Sequence, residues 1–189
     1  DHDNVITVFG GARASDEVLA VAERLGRGLA EAGFAVASGG YGGTMEAVSR
    51  GARRAGAHTI GVVAGALYGT RANEHVIETI DAGRWMPRMQ KLIDLGTGYV
   101  ALPGGTGTLA ELAVVWEMIR KTLLPRRPMV CIGPTWKGVL ESIDPSGQAE
   151  DGPVVGIRRY DGCIWTVPDP LSAVNLLCRQ LNESKGANT

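Results

Sequence analysis

The stretch "VALPGGTGTLAE", Val100 to Glu111, combines a short apolar run, three glycines, two threonines and a carboxylate within twelve residues. Glycine lets a backbone approach a ligand with no Cβ in the way. A helix opening just after it offers unpaired N–H groups and the positive end of its dipole, an arrangement suited to phosphate. A carboxylate one turn into such a helix lies near the sugar of a bound nucleotide. There Glu111 could stabilise an oxocarbenium-like centre and orient or deprotonate an attacking water. The same letters also spell a strand-to-helix turn. Thr108 and Glu111 form T-x-x-E, a capping box worth about 0.5–2 kcal/mol to a helix. Both readings are open on the local pattern.

Two other glycine-rich turns follow short apolar runs, "FGGARAS" and "SGGYGGTMEA". Tight βα turns use glycine in any case, so one such turn says little. Three in one sheet would line the same edge, beyond the carboxyl ends of the strands, where open α/β sheets bind ligands. That points to a nucleotide or sugar-phosphate site. No G-x-x-x-x-G-K-[ST] occurs, which removes P-loop chemistry. "GTGTLA" (Gly105–Ala110) matches the dinucleotide fingerprint, but the next strand ends in "RRPMVCIGPTW" without the carboxylate that would hold a ribose, which disfavours an NAD oxidoreductase. A G-x-S-x-G elbow is absent. Lys91, Lys121, Lys137 and Lys185 sit in no setting for a Schiff base. His2, His58 and His75 share no metal-ligand spacing, and no metal or cofactor is expected.

The elements that must position these residues alternate. Strands are predicted at Val5–Phe9, Phe34–Ser38, His58–Val63, Gly98–Leu102, "PMVCIG" and "CIWTV", with a possible short one at "HVIETI" (His75–Ile80). Between them, Val18, Val21, Ala22, Leu25 and Leu29 mark one helix face, stopped by Gly33. Further helices are predicted at about Thr44–Ala55, about Arg84–Leu95, after the opening motif (Leu109, Leu112, Ala113, Trp116 and Ile119 on one face), across "WKGVLESI" and across "PLSAVNLLCRQL". The stretch 144–162, rich in Asp, Gly and Pro, reads as a loop or lid. This order predicts an α/β fold, a doubly wound parallel sheet of Rossmann-like type with helices on both faces. A single domain over residues 1–189 is expected, since that length buries a normal core and no linker or repeat is visible.

Bulk properties narrow the partners. Hydrophobic residues make up 44% and charged residues 21%, with a formal net charge of −1. That balance lacks the basic footprint of a nucleic-acid binder. Arg53-Arg54 and Arg126-Arg127 read as solvated surface. No run of about 18 apolar residues would span a membrane, and the N-terminus shows no signal-peptide pattern. Cys131, Cys163 and Cys178 lie in or near apolar segments without C-x-x-C spacing, as reduced thiols in a cytoplasmic protein would.

"PGGTGTLAE" fits at every fixed position the PGGxGTxxE signature of the LONELY GUY (LOG) family, and "SGGYGGTMEAVSRGA" resembles that family's second phosphate-side loop. The resemblance runs over roughly residues 4–140. Family members are phosphoribohydrolases that cleave the N-glycosidic bond of a cytokinin nucleoside 5′-monophosphate, releasing free base and ribose 5-phosphate. They pair the motif glutamate with an arginine fifteen residues before the motif proline, in a segment E-R-K-A-x-M. Here that position is Arg88, in "PRMQKL", with Pro87, Met89, Gln90 and Leu92 replacing the family's neighbours. Many members carry a second glutamate where this chain has Ala110.

The resemblance implies that Glu111 activates water and Arg88 positions substrate. Gly104, Gly105, Thr106, Gly107 and Thr108, assisted by Gly42, Gly43 and Thr44, would hold the 5′-phosphate of a small nucleoside monophosphate. It also implies a homodimer, with the helices around Leu92 and Trp116 as candidate interface, although core burial explains those residues equally well. Read without the family, Arg88 is a solvated helix arginine above Arg84 at i, i+4. A second reading keeps the scaffold without turnover, as a nucleotide- or cofactor-binding module; related LOG-like proteins carry molybdenum cofactor.

Overall fold

The computed structural model describes residues 4–150 and 154–186. β1 (Val5–Phe9), β2 (Ala35–Ser38), β3 (Thr59–Val63), β4 (Glu78–Asp81), β5 (Gly98–Ala101), β6 (Met129–Ile132), β7 (Gln148–Ala149), β8 (Arg158–Tyr160) and β9 (Ile164–Val167) form one sheet. Their spatial order is β4-β3-β2-β1-β5-β6-β9-β8-β7. Pairs from β4 through to β9 are parallel. The chain builds outward from β1 in one direction, then returns to place β5 on the other side of β1. That reversal creates a crevice at the carboxyl ends of β1 and β5, after Phe9 and Ala101.

Helices α1 (Asp16–Glu31), α2 (Thr44–Arg54) and α7 (Pro170–Gly186) pack on one face, and α4 (Trp85–Leu95), α5 (Thr106–Arg120) and α6 (Pro134–Ile143) on the other; α3 (Gly65–Tyr68) is a single turn. β1 shows why the sheet is covered twice. Val5 and Phe9 join the core under α4 and α5, Ile6 and Val8 the core under α1 and α2, and all are buried. Alternate side chains point to opposite faces, so a strand apolar at consecutive positions needs two layers of helix. Ser15 caps α1 by accepting the Val18 N–H at 3.4 Å. Gly33 and Gly56 follow α1 and α2 with φ of +85° and +89°, as their terminating role requires.

The segment 144–162 differs from its expected loop or lid. Its described part carries β7 and β8, an antiparallel addition to β9 at the sheet edge far from the β1–β5 crevice; residues 151–153 lie outside the described residues. Glu150 fixes this edge, accepting from Trp165 Nε1 at 2.8 Å and from Arg179 Nη2 at 2.9 Å. Two strands of two and three residues, one with Arg158-Arg159, have too little alternation to read from sequence. The possible strand at His75–Ile80 lies three residues later in part, as β4. Cys131 and Cys163 are buried free thiols and Cys178 is half-buried. Leu92 and Trp116 belong to the core beneath α4 and α5, so core packing accounts for these two side chains. Among the described residues, no helix is long and apolar enough to cross a membrane.

Candidate functional site

Arg88 reaches the crevice because α4 is held at both ends. Its first intrahelical bond runs from the Arg88 N–H to Arg84 O at 3.1 Å. Pro87 fits in the first turn, where a missing N–H removes no helix bond. Further along, Thr7 Oγ1 donates to Leu92 O (2.9 Å) and Tyr99 Oη to Ile93 O (2.8 Å), pinning the helix to β1 and β5. Arg84 is exposed at the N-cap while Arg88 turns inward and is 7% exposed, so the solvated i, i+4 pair does not form.

The buried guanidinium is fixed on three sides. Nε donates to Val62 O at 2.7 Å and Nη2 to Gly39 O at 3.0 Å. Its Cζ lies 5.6 Å from the centre of the Tyr41 ring, within cation–π range. Gly39 is required for this seat, since a Cβ there would overlap Arg88 Nη2 and Met45 Sδ. With two nitrogens of a rigid planar fork committed, the third is aimed. That nitrogen, Nη1, lies 3.9 Å from Glu111 Oε1, an ion pair too long to be a hydrogen bond.

Glu111 arrives from α5 along an unexpected stripe. Thr108, Glu111, Leu112, Val115, Trp116 and Ile119 are its buried positions. Leu109 is 38% exposed and Ala113 exposed, so the predicted apolar face is rotated. The carboxylate thus occupies a core position of an amphipathic helix. Burial raises its pKa from the ordinary 4.5 to about 7, against the lowering influence of Arg88.

The capping box is corrected. α5 starts at Thr106, its N-cap is Gly105 without a side-chain hydrogen bond, and Thr108 already lies inside the helix. Glu111 is therefore free of a capping role. Leu109 N–H, bonded to Gly105 O at 3.0 Å, is the first with a helical acceptor, which leaves the N–H groups of Thr106, Gly107 and Thr108 without one. Gly105, Thr106 and Gly107 are exposed, so this terminus is open to a ligand.

Both features face one cleft of about 490 Å³, walled by Gly105 to Thr108, Gly10 to Ala12, Arg88 and Glu111, with Tyr41, Tyr68 and Trp85 as its aromatic sides. Gly42, Gly43 and Thr44, expected at the phosphate, do not form this wall. Thr44 gives both its N–H and its Oγ1 hydrogen to Gly11 O, each at 3.0 Å. Gly43, with φ of +67°, lets α2 begin against the Gly11–Ala12 backbone, which a Cβ would strike. The second glycine turn therefore buttresses the first. Gly104 also lies behind the wall, close to Gly11 N and Thr108 Oγ1. Wall residues not singled out from sequence include Gly39, Tyr41, Met45, Tyr68 and Trp85, together with Gly10 and Gly11. "FGGARAS" carried a signal for the last two; the aromatic residues carried none before their elements were brought together.

A model of the SLOG cluster4 family matches residues 3–132. The chain belongs to the SLOG cluster4 family, a LOG-like group. This SLOG cluster4 chain is 34% identical over 102 residues to a cytokinin riboside 5′-monophosphate phosphoribohydrolase of Mycobacterium marinum, covering 53% of this chain and 54% of the relative. It is 37% identical over 114 residues to a probable enzyme of the same name from Oryza sativa subsp. japonica, covering 58% and 46%. The chain thus spans about half the length of these curated relatives. Among solved structures, the molybdenum cofactor carrier protein of Chlamydomonas reinhardtii superposes with a TM-score of 0.74 at 24% identity, over 95% of this chain and 98% of that one. The molybdenum cofactor binding protein of Rippkaea orientalis does so with 0.74 at 21%, over 94% and 97%. These show a shared fold.

Proposed function

We propose that the chain hydrolyses the N-glycosidic bond of a nucleoside 5′-monophosphate of cytokinin type, releasing free base and ribose 5-phosphate. The observation that carries this reading is the juxtaposition, in one cleft, of the open α5 N-terminus with a buried carboxylate one turn further along. The N–H groups of Thr106, Gly107 and Thr108 receive the 5′-phosphate on the positive end of the helix dipole. Gly104 and Gly105 shape the approach. Gly42, Gly43 and Thr44 act from behind, by holding the Gly10–Ala12 loop against the same end.

The ribose then lies beside Glu111. As the C1′–N bond breaks, its electron pair leaves with the base and positive charge spreads over C1′ and the ring oxygen. A water adds to C1′ and gives its proton to Glu111, which releases it to solvent as the departing base takes up a proton at the nitrogen that left C1′. Burial, which brings the carboxyl pKa to about 7, suits a general base near neutral pH. Arg88 orients the carboxylate through Nη1 and binds the substrate without moving, because its other nitrogens are held by main-chain carbonyls. The resemblance to LOG proteins adds a homodimer to this proposal. Exposed Tyr68, Met86 and Leu109, on the elements bordering the cleft, support docking of a second copy at its mouth.

The test is a substrate panel: AMP, N6-prenylated AMP, adenosine and 3′-AMP, with free base and ribose phosphate measured. Cleavage confined to the 5′-monophosphates is the expected result. Binding of 5′-monophosphates without any product supports the second reading, a nucleotide- or cofactor-binding module, which the altered "PRMQKL" segment favours.

A further inference from the structure

α3 is a four-residue helix without a buried residue, yet it carries Tyr68 into the wall of the cleft. A single turn has no stability of its own, and with no apolar face it must be held by polar anchors. Two of these come from one side chain. Tyr41 Oη accepts the Ala64 N–H at 2.8 Å and donates to Gly69 O at 2.9 Å, clasping α3 at both ends. Asp81 Oδ1 accepts from Gly65 N at 2.9 Å, and Ala66 N donates to Gly83 O at 3.0 Å. Beyond α3, Asn73 Nδ2 donates to Gly40 O at 3.1 Å and to Tyr41 O at 2.9 Å, so residues 64–73 form a strap bound back onto the Tyr41 loop. The same Tyr41 ring meets Tyr68 edge-on at 5.8 Å and lies against the Arg88 guanidinium.

We propose that Tyr41 is a positioning residue for the cleft, whose hydroxyl seats the 64–73 strap and whose ring holds Arg88 toward Glu111. The two functions separate by atom. The hydroxyl governs how well the wall carrying Tyr68 closes on substrate, which belongs to KM. The ring governs where Nη1 points, which belongs to kcat. The kinetic part rests on the phosphoribohydrolase reading; the part concerning the strap rests on the geometry alone.

Tyr41→Phe and Tyr41→Leu distinguish the roles. Amide hydrogen exchange, which needs no substrate, is measured on wild type and both variants. Exchange over residues 64–69 is expected to accelerate about tenfold in Tyr41→Phe, which loses the part-buried bond from Ala64 N–H and the exposed one to Gly69 O, with β1 and β5 unchanged. In AMP hydrolysis, Tyr41→Phe is expected to raise KM about tenfold with kcat within about twofold. Tyr41→Leu is expected to lower kcat by about tenfold in addition, through loss of the ring on Arg88. Restoration of kcat by Phe relative to Leu is the signature of the ring. Unchanged exchange over 64–69 in Tyr41→Phe overturns the proposal. So does an equal fall in kcat for both variants, or accelerated exchange that extends into β1 and β5. If wild type proves inactive while the exchange result is as expected, the hydrolase reading fails and the seating of the strap stands.

Discussion

Arg88 Nη1 and Glu111 Oε1 lie 3.9 Å apart at the floor of the cleft, both side chains at most 10% exposed. The pair joins two elements from the same side of the sheet, α4 and α5, across the crevice where strand order reverses. Its geometry is asymmetric. Arg88 is anchored to carbonyls of Val62 and Gly39, whereas among the described residues Glu111 is held only by the long ion pair to Arg88. A carboxylate placed so has chemistry available that a tightly bonded one lacks.

The first consequence is a pH dependence of the reaction. Burial raises the Glu111 pKa to about 7, and a general base works only when deprotonated. The acid limb of kcat/KM is expected to rise through about pH 7 and to flatten above it. A pH-rate profile measured on AMP checks this; a limb centred near the ordinary glutamate value contradicts it.

Stability follows the opposite course. The folded chain keeps the Glu111 proton up to about pH 7, while the unfolded chain releases it near 4.5. Between those values the folded state binds more protons, so stability falls as pH rises through the window. Glu111→Gln cannot titrate. The stability of this variant relative to wild type is expected to grow on going from about pH 5 to about pH 8, by on the order of 3 kcal/mol. Denaturant unfolding at both values measures it.

Arg88 lowers the Glu111 pKa against the effect of burial. Arg88→Ala is therefore expected to move the acid limb of any residual activity to higher pH, besides lowering kcat/KM by about 10²-fold or more. Arg88→Lys keeps a charge but cannot bond Val62 O and Gly39 O while presenting a third nitrogen. It is expected to restore little activity. A limb that stays in place in Arg88→Ala separates the two residues functionally.

Gly39→Ala tests the seat of the guanidinium without touching either charged residue. The added methyl would overlap the side-chain ends of Arg88 and Met45 rather than main chain, displacing the guanidinium from its carbonyl partners. The variant is expected to fold with a lowered melting temperature, since the displaced guanidinium gives up its buried bonds to Val62 O and Gly39 O. Its activity is expected to fall about as far as that of Arg88→Ala. Full activity in Gly39→Ala contradicts the requirement for this seat.

Sequence and structure agree most closely where chemistry and spacing coincide. Glu111 follows a glycine turn and Arg88 lies fifteen residues before Pro103, and both do reach one cleft. The alternation of strands and helices is equally legible, because the central strands are mostly apolar at consecutive positions and most following helices carry an apolar stripe. What the letters concealed was rotational and tertiary. Gly105 rather than Thr108 is the N-cap of α5, and the helix's buried stripe includes Thr108 and Glu111; a polar residue at a core position is itself a signal, but only once the register is known. Thr44 was indistinguishable in sequence from a phosphate ligand until its partner, the Gly11 carbonyl, came from 33 residues away. Tyr41 lies inside a glycine-rich loop whose partners come from two separate segments, Ala64 and Gly69 from the strap and Arg88 from α4.

The most direct test of the central claim is a single-turnover experiment with AMP on wild type and Glu111→Gln, with binding measured on the same samples. The expected result is one equivalent of free base and ribose 5-phosphate from wild type. Glu111→Gln is expected to bind AMP with similar affinity and to release product about 10²- to 10⁴-fold more slowly, the range for loss of a general base. Bound AMP that stays intact on the wild-type chain, or undiminished turnover by Glu111→Gln, would contradict the account.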